Sequence, residues 1–264
     1  MKVACFSVAT MDYFPQQDKY YAGGNSLNQA IRFRRMGHSS AFVGALGTDR
    51  AGDQLAAFLQ TESVDVSHLH RIDGQTASNQ IINDDLGERY GVEGAWAGGV
   101  YEQFELDETD WDYLNQFDVW STHANGPNYL RALEQKKSTQ WMSVDFLHFT
   151  DYDLLEKSLR VVDIAYFGGT PAMRDDLARI AKANRGVIVL TLGAQGSIAF
   201  EGDQVYSQKA LTTEKVVDVT GCGDAFQAAF TASYFATKDI RASLLAGAKL
   251  GHTAAMSFGG IPWQ

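Results

Sequence analysis

The sequence predicts a three-layer α/β/α sandwich with a mainly parallel central sheet and a small β lid. Three observations predict it. Short β-branched or apolar runs alternate with longer amphipathic segments, the rhythm of successive βαβ units. Hydrophobic residues make up 45% of the 264 and charged residues 20%, which suits one large domain, 1–264, with a substantial buried core. The stretch Gly74 to Gly99 breaks the alternation, and with residues 12–22 it is read as the lid.

The first run, near 2–9, is apolar and short, followed by an extended aromatic stretch through Tyr13-Phe14 and Tyr20-Tyr21. A helix near 25–36 opens on Gly23-Gly24, and a strand near 40–45 and a helix near 51–62 complete the next unit. Within 74–99, Thr76 to Ile82 and Arg89 to Val92 flank the turn Asp84-Asp85-Leu86-Gly87, as an antiparallel pair does. Such a pair is either a lid closing over a ligand or a plain surface hairpin. Strands then fall near 117–122, 140–146, 162–167, 187–192 and 197–200, between helices near 126–137, 151–160 and 170–184. The helix near 224–236 is apolar on nearly every face, so it is expected to be buried, and a last helix spans 239–257.

A net charge of −10 opposes nucleic-acid and anionic-membrane partners. No apolar run approaches the roughly 18 residues of a membrane span, and the first residues are too polar-punctuated for a signal peptide. Cys5 and Cys222 form neither a disulfide framework nor a zinc spacing, which points to a reduced, cytoplasmic protein. His68-Leu69-His70 has no third ligand at useful spacing and reads as a solvated loop. P-loop, dinucleotide and G-x-S-x-G fingerprints are absent.

The chemistry is concentrated in Asp218-Val219-Thr220-Gly221-Cys222-Gly223-Asp224. Gly221, Cys222 and Gly223 at a helix start can aim backbone N–H groups at an anion, and Asp224 in the first turn can take a proton from an attacking hydroxyl. The same pattern also fits an ordinary helix cap. Gly23-Gly24-Asn25-Ser26-Leu27-Asn28-Gln29-Ala30 puts glycines at another helix start, with the Asn28 amide one turn in, suited to a sugar hydroxyl. Here too a simple turn with Asn25 as N-cap fits.

These segments resemble the ribokinase-like (PfkB) family of sugar kinases, whose D-T-x-G-x-G-D and G-G-x-x-x-N-x-A signatures they match, with Val219 and Cys222 departing from the usual Thr and Ala. Gly44 to Gly52 resembles its G-x-x-G-x-D-x-x-G segment, and Thr191-Leu192-Gly193-Ala194-Gln195-Gly196 its T-x-G-x-x-G. The resemblance covers nearly the whole chain. It implies phosphoryl transfer from ATP to a primary hydroxyl, with Asp224 as base, Gly221, Cys222 and Gly223 stabilising charge, and Asp12, Gly23, Gly24, Asn28 and Arg89 holding the sugar. Thr191, Gly193, Gly196 and His252, with Lys249, would face the nucleotide. The family's N-x-x-E is missing around Gly168 to Pro171, so Mg2+ would be held by ATP phosphates and water and no protein ligand is assigned. Ser7-Val8 stands where the family often has Gly and an acid. Asp12-Tyr13-Phe14-Pro15, Arg89 and Val144-Asp145-Phe146 are most similar to the fructoselysine 6-kinase branch. Tyr13, Phe14, Tyr20, Tyr21 and Trp96, with Asp84, Asp85 and Glu88 on the lid, then suggest either a cationic substrate larger than a free sugar or the lid's own packing and a solvated turn, and the lid offers a homodimer interface. A kinase for fructose or ribose, and a catalytically weak sugar sensor, are the alternatives.

Overall fold

A computed structural model describes residues 1–150, 152–158, 160–183, 185–212 and 216–262. Its main body is a nine-stranded sheet in the order β13-β12-β11-β10-β9-β8-β1-β4-β5. In sequence these are β1 (Lys2–Phe6), β4 (Ser39–Gly47), β5 (Leu69–Ile72), β8 (Val119–His123), β9 (Trp141–Asp145), β10 (Ile164–Gly168), β11 (Val187–Thr191), β12 (Ser197–Glu201) and β13 (Gln204–Gln208). Every pairing is parallel except β11 with β12 and β12 with β13.

Alternation along β1 sorts the two apolar layers. Val3 and Cys5 pack with Leu27, Ile31, Leu55 and Leu59 of α1 (Asn25–Arg35) and α2 (Arg50–Thr61). Ala4 and Phe6 pack on the opposite face, against Trp111, Tyr129, Leu155 and Leu177. Those four come from α3 (Glu108–Leu114), α4 (Tyr129–Gln135), α5 (Asp153–Ser158) and α6 (Arg174–Ala181). On the first face, α7 (Cys222–Thr237) and α8 (Ile240–Ala254) cover β10 and β11 through Phe226, Phe230 and Leu244. This is the predicted sandwich. No helix among the described residues is long and apolar enough to cross a membrane.

The lid is a separate four-stranded sheet, β3-β2-β6-β7. It combines β2 (Thr10–Phe14), β3 (Lys19–Gly23), β6 (Ser78–Asn83) and β7 (Arg89–Gly91). β6 pairs antiparallel with β7, as the turn residues imply, and parallel with β2. The run read as one strand near 2–9 therefore divides: β1 enters the large sheet, and after Ser7 to Ala9 the chain leaves it for the lid. The aromatic stretch that follows is a hairpin.

The elements that escaped the sequence reading include β5, α3 and β13. β5 replaces the solvated loop expected at 68–70, because Gly44 to Gly47 pairs with Leu69 to Ile72. α3 is fixed by a capping box between Asp107 and Asp110. β13 returns along β12. The helix expected at 126–137 begins only at Tyr129, and that at 170–184 is a 3-10 turn, Pro171–Met173, followed by α6. Asp151 and Leu159 of the helix expected at 151–160, and Asn184, lie outside the described residues.

Candidate active site

The carboxyl ends of the parallel strands, the α7 N-terminus and the lid enclose a cavity of about 620 Å³. Such a crevice is where open α/β sheets bind ligands. Gly221 caps α7 with φ of 72°. A β carbon there would also lie 2.5 Å from Gly260 Cα, so only glycine turns the chain at this point. Asp224 follows in the first helical turn and lines the cavity with Gly221 and Gly223.

The turn differs from expectation at Cys222. Its N–H donates to Val219 O at 3.1 Å and it does not line the cavity, whereas the N–H groups of Gly221 and Gly223 find no partner among the described residues. Gly223 has open space around it. Of the three donors expected, those of Gly221, Cys222 and Gly223, two are therefore free. Burial pushes the Cys222 thiol up to about 12, which keeps it protonated near neutral pH.

Asp224 is clamped from α1. Asn25 Nδ2 donates to its Oδ1 at 2.8 Å and Asn28 Nδ2 to its Oδ2 at 2.7 Å. Asn25 Nδ2 also reaches Asp145 Oδ2, at the end of β9, at 3.1 Å. Burial holds the Asp224 carboxyl above the usual range, opposed by the Asn28 hydrogen bond and the charge of Arg89. Asp145 is pushed up to about 6, also by burial. Asn25 is thus a bridge between two carboxylates rather than a helix cap. Asn28 keeps a buried Oδ1 without a partner, a free acceptor for a hydroxyl.

The other expected sugar residues converge on the same space. Asp12 on β2 accepts from Thr10 Oγ1 at 2.8 Å, and burial pushes it up to about 6. A β carbon on Gly23 would sit 2.1 Å from Asp12 Oδ2, so the first glycine of the pair makes room for the acid. Gly24, with φ of 93°, lets α1 start within contact of Val8 O. Arg89 of β7 lines the cavity from the lid.

Asp218, the first acid of the glycine motif, is fully buried and ties the assembly together. Its Oδ1 accepts from Thr220 N (2.9 Å), Thr220 Oγ1 (2.7 Å) and lid residue Asn83 Nδ2 (2.8 Å), and its Oδ2 from Gly259 N (2.8 Å). Val219 N also donates to Gly87 O at the lid turn.

Thr191, Gly193 and Gly196 lie elsewhere, at the end of β11 and in the turn to β12. They do not line the cavity around Asp224. Gly196 has φ of 99°, and a β carbon there would meet Gln208 O at 2.1 Å. α8 runs beside the α7 N-terminus, since a β carbon on Gly251 would lie 3.3 Å from Cys222 O. Its His252 has a buried Nε2 without a partner, while Lys249 faces a different groove with Ala229 and Ser233. Among the described residues no group of three His, Cys, Asp or Glu is arranged to hold a metal.

The expected aromatic and acidic wall is largely absent from the cavity. Tyr13 packs on Tyr20 with its ring tilted by 32°, and Phe14 packs edge-on against Tyr21. Asp84 caps its own turn through the N–H groups of Leu86 and Glu88. Of these residues Trp96 alone lines the cavity, beside Tyr101, Glu102 and His123, for which the residue pattern carries no signal. His68 and His70 do meet a carboxylate: both ring nitrogens bond Asp110 Oδ1, at 2.8 and 2.9 Å, far from the cavity lining.

Comparison with known proteins agrees with this geometry. The family model for pfkB family carbohydrate kinases matches residues 7–263. The chain is 29% identical to "Fructosamine kinase FrlD" of Bacillus subtilis, over 98% of this chain and 91% of that one. It is 30% identical to "Fructoselysine 6-kinase" of Escherichia coli K12, over 86% of each. In fold it matches a probable sugar kinase from Rhizobium etli with a TM-score of 0.84 and 18% identity, covering 100% of this chain and 95% of that one. An Arabidopsis thaliana ribokinase complexed with ribose and ATP matches with a TM-score of 0.81 and 18% identity, over 98% and 93%.

Proposed function

The chain belongs to the pfkB family of carbohydrate kinases and is an ATP-dependent carbohydrate kinase, and from that premise we propose that it phosphorylates the 6-hydroxyl of a fructosamine such as fructoselysine. The observation that carries the reading is Asp224, clamped by two asparagines at a helix N-terminus that has free backbone donors and opens on a cavity. Its carboxylate takes the proton of the acceptor hydroxyl as the oxygen attacks. The N–H groups of Gly221 and Gly223, reinforced by the α7 dipole, stabilise charge on the transferring group. Asn28 Oδ1 and Asp12 accept hydrogen bonds from sugar hydroxyls, and Arg89 covers them from the lid, which excludes water as a competing acceptor.

The donor would lie outside this cavity, along the end of β11 and α8. His252 Nε2, buried and unpartnered, and the open turn around Gly193 suit the nucleotide beside Thr191 and Gly196. ATP supplies the γ-phosphoryl group, and Mg2+, when bound, would neutralise its phosphates. No protein ligand is assigned to the ion, which phosphate oxygens and water would carry. We take residues 1–264 as one kinase domain, cytoplasmic, with the exposed Tyr20, Leu86 and Tyr90 of the lid as a homodimer surface.

The fructosamine assignment draws on the two relatives' names. ADP release measured against fructosamines and free sugars tests it. kcat/KM for fructoselysine should exceed that for fructose or ribose by about tenfold, roughly 1.4 kcal/mol. A preference for the free sugar would refute the substrate while leaving the kinase.

A further inference from the structure

The cavity has a second wall, away from Asp224. Along one edge of the sheet the strand ends follow in the order β11, β10, β9, β8, β1. Thr191 is in register with Gly168, and Asp145 with His123, while Ser7 extends β1 next to His123. Neighbouring strands are roughly 4.8 Å apart, so Ser7 stands about 10 Å from Asp145 on the side opposite Thr191. Nucleotide residues therefore occupy one direction from the Asp145 and Asp224 carboxylates, and this wall the other.

Glu102 and Trp96 form that wall. Trp96 Nε1 donates to Glu102 Oε1 at 2.8 Å. The Glu102 side chain lies across Gly98, where a β carbon would come within 2.0 Å of its Cδ. The carboxylate is thus seated by two neighbours. Beside it Ser7 Oγ is hydrogen-bonded to Tyr101 OH (2.9 Å) and His123 Nε2 (2.7 Å). His123 is 5% exposed and lines the cavity, and among the described residues its buried Nδ1 makes no well-formed hydrogen bond, with the Asn125 side chain nearby. Burial lowers its imidazole to about 4, against a smaller opposing effect of Asn125, so the ring is neutral. Asp12, Glu102, Asp145 and Asp224 line the cavity against the single guanidinium of Arg89, which leaves it electronegative.

We infer that Glu102 and Trp96, with His123 Nδ1 beside them, form the subsite for the protonated amine of the substrate, an assignment that rests on the fructosamine reading above. In a 1-amino-1-deoxyfructose the amine and the 6-hydroxyl stand at opposite ends of the sugar. A hydroxyl held at Asp224 therefore sends the amine toward this wall. The Glu102 carboxylate pairs with the ammonium, the Trp96 face takes its charge, and His123 Nδ1 bonds the sugar beside it.

The test compares kcat/KM of wild type and Glu102→Gln, with ATP, for fructoselysine, fructose and a neutral 1-O-alkyl fructose. Circular dichroism and melting temperature establish that the variant is folded. The substitution should lower kcat/KM for fructoselysine tenfold or more and shrink its advantage over the neutral ether by a similar factor. Wild type that prefers fructoselysine, with a Glu102→Gln variant that keeps the whole preference or loses all substrates equally, would overturn the subsite and leave the fructosamine reading intact. Wild type that prefers fructose would overturn both.

Discussion

Asp12→Asn should make the protein more stable and less active. Asp12 is 5% exposed, and burial raises its carboxyl from 3.8 to about 6, assisted by the charge of Asp224. Between about pH 4 and 6 the folded state therefore holds a proton that the unfolded state has released, and stability falls as pH rises through that window. A shift of about two units at 1.36 kcal/mol each gives a cost of about 3 kcal/mol at pH 7. The asparagine keeps an oxygen for Thr10 and the shape beside Gly23 but carries no charge, so it avoids that cost. Thermal and urea unfolding of both proteins at pH 7 and pH 4 measure it, with about 5–10 °C expected at pH 7 and little difference at pH 4. Sugar turnover should fall in parallel, as expected where an active site stores unfavourable charge. A variant no more stable than wild type at pH 7, or equally stabilised at pH 4, would refute the reasoning.

Two further substitutions probe the network. Asn28→Ala removes the 2.7 Å hydrogen bond to Asp224 and should cost about 1–3 kcal/mol in kcat/KM. It should also raise the acid limb of the pH-rate profile, because that bond opposes the upward shift of Asp224, and an unmoved limb would argue against the clamp. Asp218→Ala leaves Thr220, Asn83 and Gly259 without their acceptor. A loss of about 2–4 kcal/mol in urea unfolding, with faster proteolysis at the lid turn, is expected; unchanged stability would separate the lid from the glycine loop.

The glycine turn was legible in the sequence because its geometry excludes every other residue: Gly221 abuts Gly260, and Gly23 leaves space for Asp12. The sandwich was legible because βαβ units repeat one local pattern. The network around Asp224 was not, since Asn25 and Asp145 are 120 residues apart and meet only when α1 packs over the end of β9. An asparagine at a helix start looks the same whether it caps the helix or bridges carboxylates. Asp84 shows the converse, an acid in a turn that read as a ligand and instead bonds its own backbone. β5 and the Asp110 partnership of His68 and His70 were hidden for the same reason, being contacts across distant chain segments.

Everything turns on Asp224 as the proton acceptor. Turnover of wild type and Asp224→Asn, measured as ADP release at saturating sugar and ATP, tests it directly. With substrate binding retained and the fold intact, kcat should drop by roughly 10² to 10⁴. A folded Asp224→Asn protein that turns over at a rate near wild type would contradict the account.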